Sequence, residues 1–313
     1  MSKRLAILCP GQGAQHARMF ELFGDTGQGA TLAEQWSLRD ALGMPLEQVL
    51  NDPAYLYANR FAQPLIAAAS LAAWEIVRTV LPPSMQPALV AGYSIGELTA
   101  YAVAGSLSPQ DAVALAARRA SAMDACMNPE SRQAMLAVSG LALPQLREML
   151  QEHALHIAIE TGEDSAIVGG LQGQVDGLRL IAEQRGARAL PLPVEVASHT
   201  PFMRDAVPPF LAEMRGHRFT DPQLPVVCGI SAESVRDKDR AMQTLARQLA
   251  EPVLWQQCMD NCAEAGITIA LELGPGNALS RMLSQRHPQI ACRSVCEFRS
   301  AAGVAGWIGR HFD

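Results

Sequence analysis

A serine between two glycines is the first feature of this sequence that could carry covalent chemistry. Gly92-Tyr93-Ser94-Ile95-Gly96 fits the pattern G-x-S-x-G, in which a sharp turn between a strand and a helix exposes a nucleophilic hydroxyl. An apolar run, Ala88–Ala91, precedes the motif, and a helical pattern follows it from Glu97 to Ala104. The helix would direct its positive end at the hydroxyl, and the backbone N–H of Ile95 would face a developing oxyanion. The motif therefore predicts acyl transfer through Ser94, with a chance glycine and serine turn as the alternative.

His199 is the strongest candidate for the base that such a serine needs to lose its proton near neutral pH. It follows a predicted strand, within Val196–Pro201, where a side chain can project from the edge of a sheet. A loop histidine taken alone is more often a surface residue, so that alternative stays open. The weaker candidates among the seven histidines are His153, His156, His217 and His311.

Arg119 is the third residue that could act on a substrate, because it lies in an otherwise apolar helical stretch, Ala116–Ala120. A pair of arginines in such a helix usually means that one is solvated and the other is paired. A guanidinium that faces a pocket would hold a carboxylate through two parallel hydrogen bonds. Arg119 is thus either a carboxylate clamp or a structural partner of another buried group.

The elements around these residues alternate between buried strands and helices. Leu5–Cys9 is a predicted strand that ends in the turn Pro10–Gly13, and helices are predicted at Pro64–Val80 and Ser108–Met127. Residues 128–194 differ, because short strands and two helices follow there in the order β-α-β-β-α-β of a ferredoxin-like unit. We therefore expect an α/β protein with a parallel sheet, formed by residues 1–127 and 195–313, and a smaller α+β domain inserted at 128–194. Late strands are predicted at 225–230, 267–273 and 290–295, late helices at 241–249 and 252–265, and a polar linker at 231–240.

Composition excludes several classes of protein. The 313 residues carry a net charge of -6, which argues against nonspecific binding to nucleic acid. No stretch reaches the roughly 18 apolar residues of a membrane helix, and the apolar run near residue 5 is too short for a signal peptide. The seven cysteines include no CxxC pair, which favours reduced thiols without a metal. We expect a cytoplasmic protein with no resident metal or permanently bound cofactor and no membrane partner.

These segments together resemble one family, the malonyl-CoA:acyl carrier protein transacylases and the acyltransferase domains of fatty-acid and polyketide synthases. The resemblance runs through nearly the whole chain. The matching segments are Pro10–Gln15 (PGQGAQ), Gly92–Glu97 (GYSIGE), Arg119, Pro191–Met203 (PLPVEVASHTPFM), Glu251–Trp255 (EPVLW) and Glu272–Gly276 (ELGPG). It implies an α/β-hydrolase-like body with a ferredoxin-like insertion.

The resemblance also implies a role for each matching residue. Ser94 would attack the thioester of malonyl-CoA, with His199 as general base and then general acid. The backbone amides of Gln12 and Ile95 would form the oxyanion hole, and Arg119 would bind the malonyl carboxylate. A backbone carbonyl orients the histidine in this family, and we expect that of Glu251 to do so here. The last implied residue is Gln63, which would line the pocket.

Tyr93 distinguishes this chain within the family, because a histidine is usual before the nucleophile. The run GYSIGELTAY is most similar to the epsilon subunit of malonate decarboxylase. That relative loads malonyl onto the phosphoribosyl-dephospho-CoA arm of a small carrier subunit. We expect this role, with loading of an acyl carrier protein for fatty-acid or polyketide synthesis as the alternative. Weaker alternatives are a serine hydrolase or thioesterase, which would need a later histidine such as His217, His287 or His311, and a noncatalytic carrier-binding subunit.

The carrier would need a surface on which to dock. Carrier proteins are commonly acidic, so we expect a local basic face, with a solvated helix face as the alternative. This basic face is Arg179, Arg185, Arg188 and Arg204.

Overall fold

The computed structural model describes residues 3–24, 27–151 and 153–312. Its strands are β1 (Leu5–Cys9), β2 (Pro87–Gly92), β3 (Gln133–Ser139), β4 (Leu155–Gly162), β5 (Ser165–Leu171), β6 (Arg188–Pro191), β7 (Val226–Val227), β8 (Ser234–Val235), β9 (Ile269–Glu272) and β10 (Ala291–Ser294). Its α-helices are α1 (Gln28–Gln35), α2 (Leu38–Leu42), α3 (Leu46–Asn51), α4 (Pro53–Leu56), α5 (Asn59–Arg78), α6 (Ile95–Val103), α7 (Pro109–Asp124), α8 (Leu143–Leu150), α9 (Gln172–Gln184), α10 (Val207–Gly216), α11 (Lys238–Arg247), α12 (Trp255–Glu264), α13 (Ala278–Arg286) and α14 (Ala301–Phe312). Short 3-10 helices lie at Pro83–Met85, Pro201–Ala206 and Val295–Glu297.

A six-stranded sheet forms the centre of the larger part, in the order β10-β9-β1-β2-β7-β8. Every pair in it is parallel except β7 with β8. Its central strand β1 is buried at every position, as expected for a parallel sheet with helices on both faces. Helix α5 supplies much of that cover with a nearly continuous buried face of alanine, leucine and isoleucine. The predicted α/β class with a parallel sheet is confirmed.

A second sheet follows in the chain and contains β3 to β6, with the strand order β4-β5-β3-β6 and antiparallel pairing throughout. One face packs on α8 and α9 through Leu136, Val168 and Leu178. The other face contributes Met135 and Ile159 to a cluster with Trp255 of α12. The element order is the β-α-β-β-α-β order predicted from the sequence. The inserted domain at 128–194 and the hydrolase-like character of the larger part stay predictions.

Several predicted boundaries are wrong. Helix α5 begins at Asn59, five residues before the predicted start, and Pro64 lies inside it. The predicted strand at 225–230 is reduced to the two residues of β7. The predicted linker at 231–240 contains β8 and the first turn of α11. Ser108 caps α7, since its hydroxyl accepts a hydrogen bond from the backbone N–H of Asp111 at 3.0 Å.

Within the described ranges, no helix combines the length and the apolar character that crossing a membrane requires. All seven cysteines are free thiols, and four of them are buried: Cys9, Cys228, Cys258 and Cys262.

Candidate active site

Ser94 lies at the turn between β2 and α6, and its backbone conformation is unusual. Its φ of 56° and ψ of -119° fall in a region that L-residues rarely adopt, which is typical of strained turns at functional sites. The neighbouring glycines make the turn possible. A Cβ on Gly92 would lie 2.2 Å from the carbonyl oxygen of Gly96, and a Cβ on Gly96 would lie 2.1 Å from that of Cys9. Any side chain at either glycine would therefore push the turn apart.

The loop after β1 packs directly against this turn. A Cβ on Gly11 would lie 2.8 Å from the carbonyl oxygen of Tyr93 and 3.6 Å from the Cβ of Ser94. Gln12 therefore follows a residue that touches the serine turn, and it also lines a cavity of about 500 Å³ beneath the second sheet. Ile95 is the first residue of α6, where backbone N–H groups have no partner within the helix. The oxyanion roles of Gln12 and Ile95 stay predictions, with this placement in their favour.

His199 reaches Ser94 from a segment 105 residues further along the chain. Its Nε2 lies 2.8 Å from the Ser94 Oγ, and its Nδ1 lies 2.6 Å from the backbone carbonyl oxygen of Gln248. Because a carbonyl oxygen only accepts, Nδ1 must carry the ring proton, which leaves Nε2 free to accept from the serine hydroxyl. The backbone N–H of His199 also donates to Leu249 at 2.8 Å, so the histidine is fixed at two adjacent carbonyls.

The predicted role of Glu251 is wrong. The carbonyl that accepts from His199 belongs to Gln248, three residues earlier, because the chain turns just after α11 ends at Arg247. The Glu251 side chain instead pairs with Arg247 at 2.7 Å, where both side chains are exposed. Gln248 is the residue that sequence reasoning missed. The sequence held no signal for it, because Gln243, Thr244 and Arg247 are polar residues of the same stretch, 241–249.

The electrostatic environment keeps His199 neutral. Burial and, to a lesser extent, the positive charge of Arg119 lower the pKa of His199 to about 3, against the opposing effect of the bond to Gln248. The ring is completely buried. At neutral pH the imidazole is therefore a neutral base whose free nitrogen faces a hydroxyl.

Arg119 is buried, with 1% of its surface exposed, and it points at the serine. Its Nη2 lies 3.5 Å from the Ser94 Oγ and donates to the Gln248 Oε1 at 3.1 Å. Its Nη1 donates to the Gln63 Oε1 at 2.7 Å and contacts the sulfur of Met123 at 3.4 Å. Burial lowers the pKa of Arg119 to about 10, and the charge of Glu97 opposes that change, so the guanidinium stays charged at neutral pH.

Gln63 holds the guanidinium from the side of α5. Its Nε2 donates to the Asn59 Oδ1 at 2.6 Å, and this bond directs its carbonyl oxygen at Arg119. Gln63 is fully buried beside Arg119, and its role in lining the substrate pocket stays a prediction.

The later histidines lie elsewhere. His217 pairs with Asp111 at 2.8 Å, and His287 pairs with Asp260 at 2.8 Å. The Nδ1–H of His311 donates to the backbone carbonyl oxygen of Trp307 at 2.9 Å. The geometry therefore gives no support to the order of residues that an ordinary α/β-type serine hydrolase would need.

Comparison with known proteins agrees with this geometry. The family model described as "Acyl transferase domain" matches residues 7–307. The chain belongs to this acyl transferase family. Among curated relatives, it is 28% identical to the malonyl CoA-acyl carrier protein transacylase of Haemophilus influenzae, over 98% of this chain and 99% of the relative.

Solved structures of acyl transferases resemble it over the whole length. The malonyl-CoA:acyl carrier protein transacylase of Xanthomonas oryzae pv. oryzae superposes with a TM-score of 0.89 and 30% identity, covering 99% of each chain. A malonyl-transacylase solved in complex with a type II polyketide synthase acyl carrier protein superposes with a TM-score of 0.86 and 25% identity, covering 98% of this chain and 100% of the other.

Proposed function

We propose that this acyltransferase moves a malonyl group from malonyl-CoA to the pantetheine-type thiol of an acyl carrier protein, through a malonyl ester on Ser94. The observation that carries the proposal is the distance of 2.8 Å between the Ser94 Oγ and the His199 Nε2, with a buried guanidinium 3.5 Å from the same oxygen. A nucleophile with its base, beside a fixed cation, suits an acyl group that ends in a carboxylate. The names of the relatives point to the same substrates.

The first half of the reaction forms the acyl-enzyme. The Ser94 Oγ attacks the thioester carbonyl carbon while His199 Nε2 takes the hydroxyl proton. The carbonyl oxygen becomes an oxyanion, which the backbone N–H groups of Gln12 and Ile95 stabilise. The intermediate collapses with cleavage of the C–S bond, and His199 returns the proton to the CoA thiolate, so no proton is gained or lost.

The second half reverses these steps with a different thiol. The thiol of the carrier gives its proton to His199 and attacks the ester carbonyl, and the proton returns to the Ser94 oxygen as the C–O bond breaks. The Gln248 carbonyl stabilises the imidazolium in both halves, as the carboxylate of a Ser-His-Asp triad does elsewhere.

Arg119 gives the reaction its preference for malonyl. A malonyl carboxylate would pair directly with the buried guanidinium, whereas an acetyl group offers it no carboxylate. A polar site that loses its partner rejects a substrate more strongly than an apolar pocket does. We therefore propose malonyl-CoA, and not acetyl-CoA, as the donor.

Intact mass spectrometry tests the proposal directly. Wild-type protein mixed with malonyl-CoA should gain the mass of one malonyl group, and a carrier protein bearing its phosphopantetheine arm should remove it. Ser94→Ala should gain nothing, whereas Ser121→Ala, on a neighbouring helix, should gain the group as the wild type does. An unmodified wild type, or an adduct that persists in Ser94→Ala, would refute the serine intermediate.

A second candidate acceptor is the carrier subunit of malonate decarboxylase, which the GYSIGELTAY run favours. Tyr93 packs edge-on against Trp255, with ring centroids 5.3 Å apart, at the base of the second sheet. The named relatives favour the acyl carrier protein of fatty-acid or polyketide synthesis. Comparing kcat/KM for the two carriers decides between them, because both present the same pantetheine thiol.

The basic face remains a proposal for carrier docking. Arg185, Arg188 and Arg204 are exposed, whereas Arg179 is only partly exposed. Exchanging the three exposed arginines for glutamate should raise KM for the carrier and leave KM for malonyl-CoA unchanged. An unchanged carrier KM would move the docking surface elsewhere. The cytoplasmic location also stays a prediction.

A further inference from the structure

Glu97 is a carboxylate with no exposed surface, three residues after Ser94 on α6. Its Oε2 accepts hydrogen bonds from the backbone N–H of Gly229, at 2.9 Å, and from the side-chain amide of Gln248. Its Oε1 has no hydrogen-bond partner in the part of the chain that the structure describes. An acid buried this deeply is costly unless an opposite charge lies near it.

A side chain at residue 229 would crowd this arrangement. A Cβ there would lie 2.7 Å from the Glu97 Oε2 and 3.3 Å from the Gln248 Nε2. The backbone of the segment after β7 therefore approaches the carboxylate closely. The absence of a side chain at Gly229 thus leaves room for the Glu97 carboxylate to contact the backbone.

Arg119 is a buried cation whose direct contacts include no acid among the described residues. Its hydrogen-bond partners are the neutral groups of Gln63, Gln248, Met123 and Ser94, and no carboxylate contacts it among residues 3–24, 27–151 and 153–312. The acid that acts on it electrostatically is Glu97, whose charge opposes the effect of burial on the Arg119 pKa.

The side chain of Gln248 joins the two charges. Its Nε2 donates to Glu97, and its Oε1 accepts from Arg119 at 3.1 Å. The carboxylate oxygen can only accept from this amide, so it fixes which end of the amide faces the guanidinium. The reverse orientation would place the NH2 group against Arg119, donor against donor.

We propose that Glu97 is a positioning residue that serves, through the Gln248 amide, as the counter-charge of Arg119 while no substrate carboxylate occupies the pocket. The inference rests on the proposed function, because it assumes that the malonyl acid binds at Arg119. In the free enzyme, Glu97 keeps the guanidinium charged and oriented. When malonyl binds, two acids share one cation, and Glu97 weakens the binding of that acid.

The free energy needed to protonate Glu97 sets an upper limit on how far its charge can weaken malonyl binding. Burial raises the pKa of Glu97 to about 7, while the bonds from Gly229 and Gln248 and the charge of Arg119 lower it. The unpartnered Oε1 can take the proton without breaking either hydrogen bond. At pH 8, about one unit above this pKa, the free-energy cost of protonating Glu97 limits the weakening of malonyl binding to about tenfold.

Glu97→Gln tests the proposal, because an amide can keep both hydrogen bonds and removes the charge. Binding is measured by calorimetry at pH 8 in the Ser94→Ala background, which prevents acyl transfer. We expect malonyl-CoA to bind up to about tenfold more tightly than in Ser94→Ala alone, with acetyl-CoA binding unchanged and a lower Tm for the free protein.

Glu272→Gln is the matched control. Glu272 is also fully buried, and it accepts backbone hydrogen bonds from Leu279 and Ser280 at 3.2 and 2.8 Å, away from Arg119. The Glu272→Gln variant should have a lower Tm, with its affinity for malonyl-CoA unchanged. If both variants change malonyl-CoA binding alike, or if Glu97→Gln weakens it, Glu97 is not the counter-charge.

Gln248→Met provides a second route should Glu97→Gln fold poorly. It removes the amide link and keeps the backbone carbonyl that holds His199. We expect malonyl-CoA to gain affinity relative to acetyl-CoA, because Glu97 loses a donor and becomes easier to neutralise. Where both variants fold, their effects should not add, since each acts on the same electrostatic coupling between Glu97 and Arg119. A loss of relative affinity, or full additivity, would overturn the proposal.

The proposed function is tested separately in the same preparation. Wild type that forms no malonyl ester refutes the transacylase assignment, whatever Glu97 does. Wild type that forms the ester, with selectivity unchanged in Glu97→Gln, refutes the counter-charge alone.

Discussion

Replacing Arg119 with alanine should invert the preference of the enzyme for its acyl donor. The guanidinium is 1% exposed and ends 3.5 Å from the nucleophilic oxygen, so a malonyl carboxylate would meet it out of contact with bulk water. The acetyl group has no atom that needs this cation. The substitution should therefore damage transfer of one substrate and not the other.

The magnitude follows from the burial of the pair. Removing one partner of a buried ion pair costs about 3 to 5 kcal/mol. With about 1.4 kcal/mol for each factor of ten, kcat/KM for malonyl-CoA should fall by about two to three and a half orders of magnitude. For acetyl-CoA, kcat/KM should hold or rise, because the acetyl group has no carboxylate for the guanidinium to bind.

The assay is transfer from radiolabelled malonyl-CoA or acetyl-CoA to a carrier protein, with Tm measured on each variant. Tm matters because the alanine leaves the oxygens of Gln63 and Gln248 without their donor. Arg118→Ala is the control on the same helix, since that side chain is 65% exposed and lies 3.8 Å from Glu213. Arg118→Ala should change kcat/KM for either substrate by no more than about twofold, because exposed ion pairs contribute little free energy.

Equal losses for the two substrates would refute the clamp. The same conclusion would follow if Arg119→Lys, which keeps the charge without the planar fork, and Arg119→Ala behaved identically toward malonyl-CoA. Arg119 would then be a structural residue of α7.

Three further outcomes follow from the site. His199→Ala should reduce transfer by about 10²- to 10⁴-fold, and His287→Ala should leave it intact; the reverse result in a transfer assay would restore the hydrolase alternative. Glu251→Ala should keep kcat within about twofold and change the free energy of unfolding by less than about 0.5 kcal/mol, because the carbonyl of Gln248 holds the histidine; a collapse of kcat would contradict this. Since burial and Arg119 lower the pKa of His199 to about 3, protonation of His199 should cause no loss in the rate of acylation between pH 8 and 5. In Arg119→Ala, the acid limb of the pH profile for acetyl transfer should move to higher pH, because the charge that lowers the His199 pKa is gone. Stopped-flow measurement of the rate against pH checks both expectations.

The same pKa shifts act in opposite directions on stability. Between about pH 3 and 6.5, unfolded His199 binds a proton that the folded residue does not, so this residue destabilises the fold as pH falls. Between about pH 4.5 and 7, folded Glu97 binds a proton that the unfolded residue does not, so it stabilises the fold as pH falls. The two contributions offset each other over the shared window.

The sequence predicted the parts of the fold that have strong local patterns. The buried runs of β1 and β2 and the capped start of α7 are examples, because each pattern comes from a few adjacent residues. Helices α1 to α4 are short and were not predicted, since four to eight residues give little periodicity. The start of α5 was predicted at Pro64, because proline is favoured at the start of a helix. The helix instead begins at Asn59, because the packing of its buried face outweighs the backbone hydrogen bond that Pro64 cannot make.

The candidate site divides in the same way. Ser94, His199 and Arg119 were predicted because their side chains have types suited to the chemistry, and the structure brings them together. The carbonyl of Gln248 gave no signal, because every residue has one and only the fold decides which carbonyl meets the imidazole. The link between Glu97, Gln248 and Arg119 was also missed, because it joins segments more than one hundred residues apart.

The use of a main-chain carbonyl to hold His199 has a consequence for how such enzymes diversify. A substitution at position 248 changes the side chain but keeps the backbone carbonyl oxygen, so His199 keeps its hydrogen-bond partner. The side chain at the same position contacts Arg119, the residue that we propose selects the acyl group. One residue thus keeps the catalytic function constant and leaves substrate choice open to mutation, and lineages with new acyl donors are expected to vary here before they vary at the serine or the histidine.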